Sequence, residues 1–208
     1  MRLLLVPLFY FLFTGALWFT IGERIDLPES FADVVPWLRS FQGWAWAVAM
    51  GVVVADFLLP MPSTPALISL GVIYGPWLGG ALGGIACTVA GMLGFGLARL
   101  VGRRGALYLA EERELAAVER FYGRWGTYAV VFGPAVGGPA EWLVIAAGLS
   151  GMPVTRALVG VMAGGFAAAY VHALFGDLAV ERPWLAMGGV LVLAVVLAML
   201  ARRMMRSG

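Results

Sequence analysis

Two carboxylates sit in stretches of chain otherwise free of charge. Asp56 is the single charge in Ser40–Ala98, and Glu141 is the single charge in Trp125–Thr155. A carboxyl in an apolar run of membrane length costs at least about 2.5–3.5 kcal/mol to insert, so such residues are rare and mark substrate or proton pathways. It can trade a proton with entering water, or cap a broken helix end. The only histidine, His172, lies in the uncharged run Ala157–Gly176. It reads as a packed ring with one hydrogen bond, or as part of a proton path. Arg99, Arg103 and Arg104 follow a long apolar run, where guanidinium groups anchor to anionic headgroups or guide a substrate.

The elements that must hold these groups are membrane helices. The chain has 208 residues, 62% of them hydrophobic and 12% charged, with a mean hydropathy of +0.90. A soluble domain carries about 25% charged residues. This excludes an ordinary cytosolic enzyme, a nucleic-acid-binding module and a disordered chain. All 14 basic residues are arginine, and the net charge is +2. A single cysteine, Cys87, leaves no internal disulfide and no cysteine-clustered metal site. No lysine exists, hence no nucleotide-binding Gly-x-x-x-x-Gly-Lys loop. No enzyme activity and no cofactor are expected.

Residues 3–21 could be read as a secretory signal, but 19 uncharged, aromatic-rich residues are expected to form a retained first span, and residues 184–201 a last one. The two central apolar blocks are interrupted by helix breakers: Pro60, Pro62 and Pro65 in the first, and Gly133, Pro134, Gly137, Gly138 and Pro139 in the second. If every apolar piece spans, 5 arginines fall inside and 9 outside, against the positive-inside rule. If 41–75 and 126–150 are re-entrant hairpins, the count becomes 11 inside and 3 outside. The second arrangement is the expected one. It places 77–98 and 157–176 as full spans, with 99–125 as a cytoplasmic amphipathic segment whose apolar face holds Leu115, Val118, Phe121 and Tyr122. Both termini are then cytoplasmic.

An internal repeat supports it. An offset of 77 residues aligns Pro62–Pro76 with Pro139–Pro153, matching Pro62/Pro139, Ile68/Ile145, Gly71/Gly148 and Pro76/Pro153. With opposite orientations this is an inverted-topology repeat. The fold class is therefore an all-α polytopic membrane protein, in one domain over 1–208. Its core is an inverted repeat of two re-entrant hairpins, each followed by a transmembrane helix, flanked by N- and C-terminal transmembrane helices. The glycines of 79–96 include Gly80/Gly84 and Gly79/Gly83, which suit close helix packing.

Asp56-Phe-Leu-Leu-Pro60-Met-Pro62-Ser-Thr-Pro, then Gly71-Val-Ile-Tyr-Gly75, resembles the first hairpin of the DedA family of bacterial membrane proteins, the VTT-domain group. Gly102-Arg103-Arg104-Gly105 resembles that family's Gly-Arg-x-x-Gly, and Ala147-Gly148-Leu-Ser-Gly-Met152-Pro153 its second-hairpin exit. The resemblance covers about residues 50–180. It implies a lipid transporter or scramblase of the bacterial inner (plasma) membrane, moving phospholipid or polyprenyl phosphate between leaflets, with proton coupling as an option. The family's Arg-Phe-x-Pro-x-x-Arg has no counterpart, because the chain there reads Phe132-Gly-Pro-Ala-Val-Gly-Gly-Pro139. Membrane lipids are the expected partners, nucleic acid is not, and a homo-oligomer is left open.

Three rivals remain. A small-solute or ion transporter shares the repeat logic, and a structural membrane protein needs no site at all. Gly148-Leu-Ser150-Gly151 also matches the Gly-x-Ser-Gly of rhomboid-type intramembrane proteases. Its serine needs a base within hydrogen-bond reach, and His172 lies roughly 20 Å away at 1.5 Å per helical residue.

The topology is open to test. With Cys87 replaced, single cysteines are placed at Ser30, Ala116 or Ser207, and intact cells are treated with an impermeant thiol reagent. Only position 30 should react; labelling at 116 would make the first hairpin a full span.

Overall fold

A computed structural model describes residues 28, 31–57, 63–109, 112–132 and 140–176, together with 184 and 188. Both expected terminal spans, 3–21 and 184–201, lie outside the described residues apart from those last two positions. Among the described residues every regular element is a helix. They are α1 (Phe31–Ser40), a 3-10 turn (Gln42–Trp44), α2 (Ala45–Ala55), α3 (Ser63–Leu109), α4 (Glu112–Phe132), α5 (Ala140–Leu149) and α6 (Val154–Leu174).

Two of these helices are broken at glycines, and a third starts just after one. α3 leaves helical geometry at Gly75 (φ 79°, ψ 164°) and at Gly102 (φ 62°, ψ −176°). A positive φ of this kind carries little steric penalty only without a Cβ. Pro76, just after Gly75, has the fixed φ of a first helical residue and needs no N–H there. The result is a short helix 63–74, a long one 76–101, and a tail 103–109. α4 breaks likewise at Gly126. α6 opens at Pro153 (φ −58°, ψ 135°) after Gly151 at φ 75°. Both long helices therefore begin at a glycine–proline turn.

Length separates the helices into two classes. At 1.5 Å per residue, 76–101 and α6 exceed the roughly 30 Å of a bilayer's hydrocarbon core. Ser63–Gly102 and Val154–Leu174 are the two described stretches long and apolar enough to cross a membrane. α2, 63–74 and α5 are about 15–18 Å long and cannot. Trp77, 79% exposed, begins the first long helix. Arg99, 22 residues and about 33 Å further on, lies near its end. Trp44 is exposed beside Trp77's end, while Arg124 and Arg156 share the Arg99 end. Aromatic and arginine anchors thus flank an apolar zone of membrane thickness.

The two long helices cross antiparallel over small residues. A Cβ on Gly80 would strike the Tyr170 ring, one on Gly84 the Phe166 ring, and one on Gly91 the Val161 side chain. The short helices fold back onto the long ones. Gly79 lies against the backbone of Leu70, and Gly83 against the Leu67 side chain. The Tyr74 hydroxyl accepts the Trp46 N–H at 3.0 Å, satisfying a donor that the first turn of α2 leaves open. α1 closes this end with Val34 and Leu38 packed on Ala49 and Leu70.

Two contacts bring backbones together. Gly71 abuts Ala173 of α6, and Gly148 of α5 abuts Phe95 and Ala98 of 76–101. Neither has space for a side chain. Gly148→Val should therefore destabilise the protein by about 2 kcal/mol or more, in line with overpacking elsewhere. Gly96→Val in the same long helix, where a Cβ meets nothing within 4 Å, should stay within about 1 kcal/mol. Reversible unfolding in micelles measures both; equal losses would contradict the packing.

Candidate functional site

The break between α2 and α3 leads into a cavity of about 180 Å³, roughly the volume of six waters. α2 contributes Val53 and the two residues after it, Asp56 and Phe57; α3 contributes Ser63, Leu67, Cys87 and Gly91; Val130, Val144, Gly164 and Ala168 come from α4, α5 and α6. The 77-residue offset pairs these walls. Val53 and Val130, Leu67 and Val144, Cys87 and Gly164, and Gly91 and Ala168 are four pairs related by it, and all eight residues line the cavity. The cavity therefore sits where the two halves of the chain meet.

The polar groups of the cavity are not paired in this way. Asp56 corresponds to Gly133, Ser63 to Ala140 and Cys87 to Gly164. Among the described residues the polar lining comes from the first half alone. Asp56 terminates α2, its N–H donating to the Val52 carbonyl at 2.9 Å. That position is the C-terminal end of a helix, where the macrodipole is negative and a carboxylate gains nothing from it. Capping therefore gives Asp56 no role at α2.

The other expected site residues scatter. Pro60, Pro62, Gly133, Pro134, Gly137, Gly138 and Pro139 lie outside the described residues. Pro65 stands in the first turn of α3, where a missing N–H is no loss. Glu141 is the second residue of α5, and its side chain is outside the description. Arg103 and Arg104 follow the Gly102 break; only their backbone is described. Arg99 stays helical rather than opening a loop, and its Nη1 donates to the Met152 carbonyl at 2.7 Å, with the guanidinium 5.7 Å from the centre of the Phe95 ring. It ties the end of 76–101 to the α5–α6 turn.

Ser150 and His172 do not meet. The Ser150 hydroxyl donates to the Ala147 carbonyl at 2.9 Å, and His172 Nδ1 lies 2.7 Å from the Ala168 carbonyl. Each is held by its own helical segment. Beyond the membrane zone, the face of α4 carries Leu115 and Tyr122 buried, with Val118 packed on the core. Phe121, expected on that face, is instead 43% exposed and stands edge-on to Tyr122. Tyr122 donates its hydroxyl to the Leu143 carbonyl. Burial pushes its phenol above the ordinary 10.0.

Cys87, Ser63 and the glycines around the cavity were not singled out from sequence as a site. Extending the 77-residue alignment outward from 62–76 to 53/130, 87/164 and 91/168 is the signal that finds them.

The VTT domain family matches residues 61–178, more than half of the chain, and the chain belongs to that family. No curated protein and no solved structure matches it.

Tyr122 yields a prediction with a defined sign. A phenol raised in the folded state stabilises the fold fully below its unfolded value near 10, and the contribution is lost as pH climbs beyond it. Tyr122→Phe should cost about 1 kcal/mol at neutral pH by orphaning the Leu143 carbonyl. Above pH 10 the unfolding midpoint of the parent protein should fall more steeply than that of the variant; parallel curves would remove Tyr122 from the alkaline transition.

Proposed function

We propose that this VTT-domain protein moves lipid between membrane leaflets, with Asp56 carrying the proton that couples movement to a gradient. The observation that carries the reading is the cavity at the junction of the two halves, walled by residues paired at the 77-residue offset and holding Asp56. The same offset converts the Gly71–Ala173 contact into Gly148–Gly96, and Gly148 indeed packs against Phe95 and Ala98. This supports two halves related by an inverted two-fold axis. In that arrangement α2 with 63–74, and the end of α4 with α5, are re-entrant hairpins. Broken backbone at membrane depth is tolerated where it lines a cavity, which is what this arrangement requires.

A lipid headgroup would enter this polar pocket while its acyl chains stay in the bilayer. The volume suits a headgroup and falls short of the 300–1,000 Å³ typical of drug-sized ligands. Transport through a site shared by two halves needs only that they rock against each other. Asp56 supplies the one ionisable oxygen pair in the described wall. Protonated, it is neutral and cheap to carry across; opened to water, it releases the proton. The cytoplasmic placement of both termini and of 99–125 belongs to the same reading.

Reconstitution into liposomes with labelled lipids tests it. The parent protein should exchange lipid between leaflets and respond to an imposed pH gradient. Asp56→Asn keeps shape and hydrogen bonding without titrating, so it should abolish the gradient response at normal expression. Asp56→Glu should keep part of it. A silent Asp56→Asn would sink proton coupling, and the absence of lipid movement in the parent would sink the transport reading.

A further inference from the structure

We infer that α4 carries a docking face for the anionic headgroups of the leaflet at the Arg99 end, outside the cavity and separate from its contents. This face requires only a chain seated in a membrane, and stands whether or not the cavity moves lipid. Arg113, Arg120 and Arg124 are all exposed on α4. They stand seven and four residues apart, before the break at Gly126. At 3.6 residues per turn that spacing gathers them into an arc of about 40°, roughly 16 Å long at 1.5 Å per residue. The acids of the helix, Glu112, Glu114 and Glu119, take positions about 100–120° round the axis from the middle of that arc. No acid stands three or four residues from any of the three arginines, so the helical neighbour that ordinarily offsets a guanidinium is missing from the pattern. Arg120 and Arg124 are instead like charges at i and i+4, an arrangement that costs a helix stability.

The opposite side of α4 is already used. Leu115 and Tyr122 are buried and Val118 packs on the core, so the apolar face of the helix is spent on protein rather than on the bilayer. What α4 presents outward is the arginine stripe, with Phe121 at its edge, 43% exposed. Ala117 and Gly123 beside the arginines are exposed too, leaving low ground on which a headgroup can rest. The Arg124 guanidinium lies 5.6 Å from the centre of the Trp125 ring, and Tyr128, just past the break, is exposed. Cations beside amphipathic rings are what a membrane–water interface selects. The Thr127 hydroxyl donates to the Arg156 carbonyl at 3.4 Å, bringing a further exposed arginine to this end. Anionic headgroups there meet three aligned guanidinium groups, each able to hold a phosphate through paired hydrogen bonds. A soluble anion would meet the charge without the rings. Because α4 continues past Gly126 to Val130 in the cavity wall, the stripe ties the charge of the surrounding leaflet to that wall.

Electron spin resonance of the full chain in phosphatidylcholine bilayers tests this. Trace spin-labelled phosphatidylglycerol or phosphatidylcholine is added, and the fraction held at the protein surface is read. Phosphatidylglycerol should be preferred about fivefold in low salt, one arginine's worth of surface attraction. The preference should shrink near 1 M salt, where the screening length falls to about 3 Å. Replacing the stripe together, Arg113→Gln, Arg120→Gln and Arg124→Gln, should remove most of it, and Arg120→Gln alone should remove part. Lysine at the same three positions should keep it, because the charge survives. Equal retention of the two lipids overturns the inference without any variant, and so does an undiminished preference in the triple Gln variant. Cancellation by inorganic phosphate at matched ionic strength also overturns it and reassigns the stripe to a soluble anion. Retention at the surface is read without transport, so a failure of lipid exchange in the liposome assay leaves this result standing.

Discussion

The close antiparallel crossing of 76–101 and α6 is the contact on which the rest depends. Helices in a bilayer gain no hydrophobic energy by meeting, since lipid tails are as apolar as leucine. They hold together through dispersion, which falls off within an ångström of contact distance. Gly80, Gly84 and Gly91 let Tyr170, Phe166 and Val161 seat against the opposite backbone. Each side chain would be displaced by a methyl group there. The seam fixes the relative height of the two halves, and that height sets which residues face the cavity.

From that seam the short helices follow. A helix of 15–18 Å cannot cross the hydrocarbon zone, so its broken end must find partners inside protein. Gly71 and Gly148 allow this by bringing two of the short helices into backbone contact with the long helix of the other half. The first short helix packs on its own long helix through Gly79 and Gly83 and meets α6 at Gly71, while α5 packs chiefly on 76–101 through Gly148. The cavity is what remains between these helices, lined from both halves by Val53, Leu67, Val130 and Val144. Its walls are apolar because the helices forming it are apolar on every side, and its polarity is concentrated where α2 ends and α3 begins.

Glycine and proline made much of this legible in the sequence. Gly75-Pro76 and Gly151-Met-Pro153 mark the entries to both long helices because positive φ and a missing N–H leave few other readings. Asp56 stood out because a carboxyl in an apolar run must be explained. The facing of the cavity was not legible. Helices such as α2 and α6 are hydrophobic all round, so no moment points inward, and Cys87 or Gly164 look like any small packing residue. Arg99 appeared to end its span at Ala98, yet the helix runs on to Gly102. Its side chain reaches the Met152 carbonyl, a partner 53 residues away that no local pattern indicates. Phe121 followed the amphipathic spacing but turned out to be exposed, because Tyr122 takes the buried place with a hydrogen bond to Leu143.

The two ends of the seam are closed by different physics. At the Trp77 end Gly71 meets Ala173, and Gly176 fits against Ile68 and Val72 so closely that a Cβ would push them back by a few tenths of an ångström. At the Arg99 end Gly148 makes the equivalent backbone contact, but the position equivalent to Gly176 is Arg99 itself. The guanidinium–carbonyl bond there is a part-buried polar contact, whose partners water can satisfy when that end opens. Separating the Trp77 end forfeits close-packed contacts that nothing in a lipid tail restores. An inverted repeat with identical ends would be equally stable facing either way. Arg99 in one half and Gly176 in the other break that degeneracy in the same chain that confines Asp56 to one half of the cavity wall, so both the site and its closures are asymmetric within a symmetric frame.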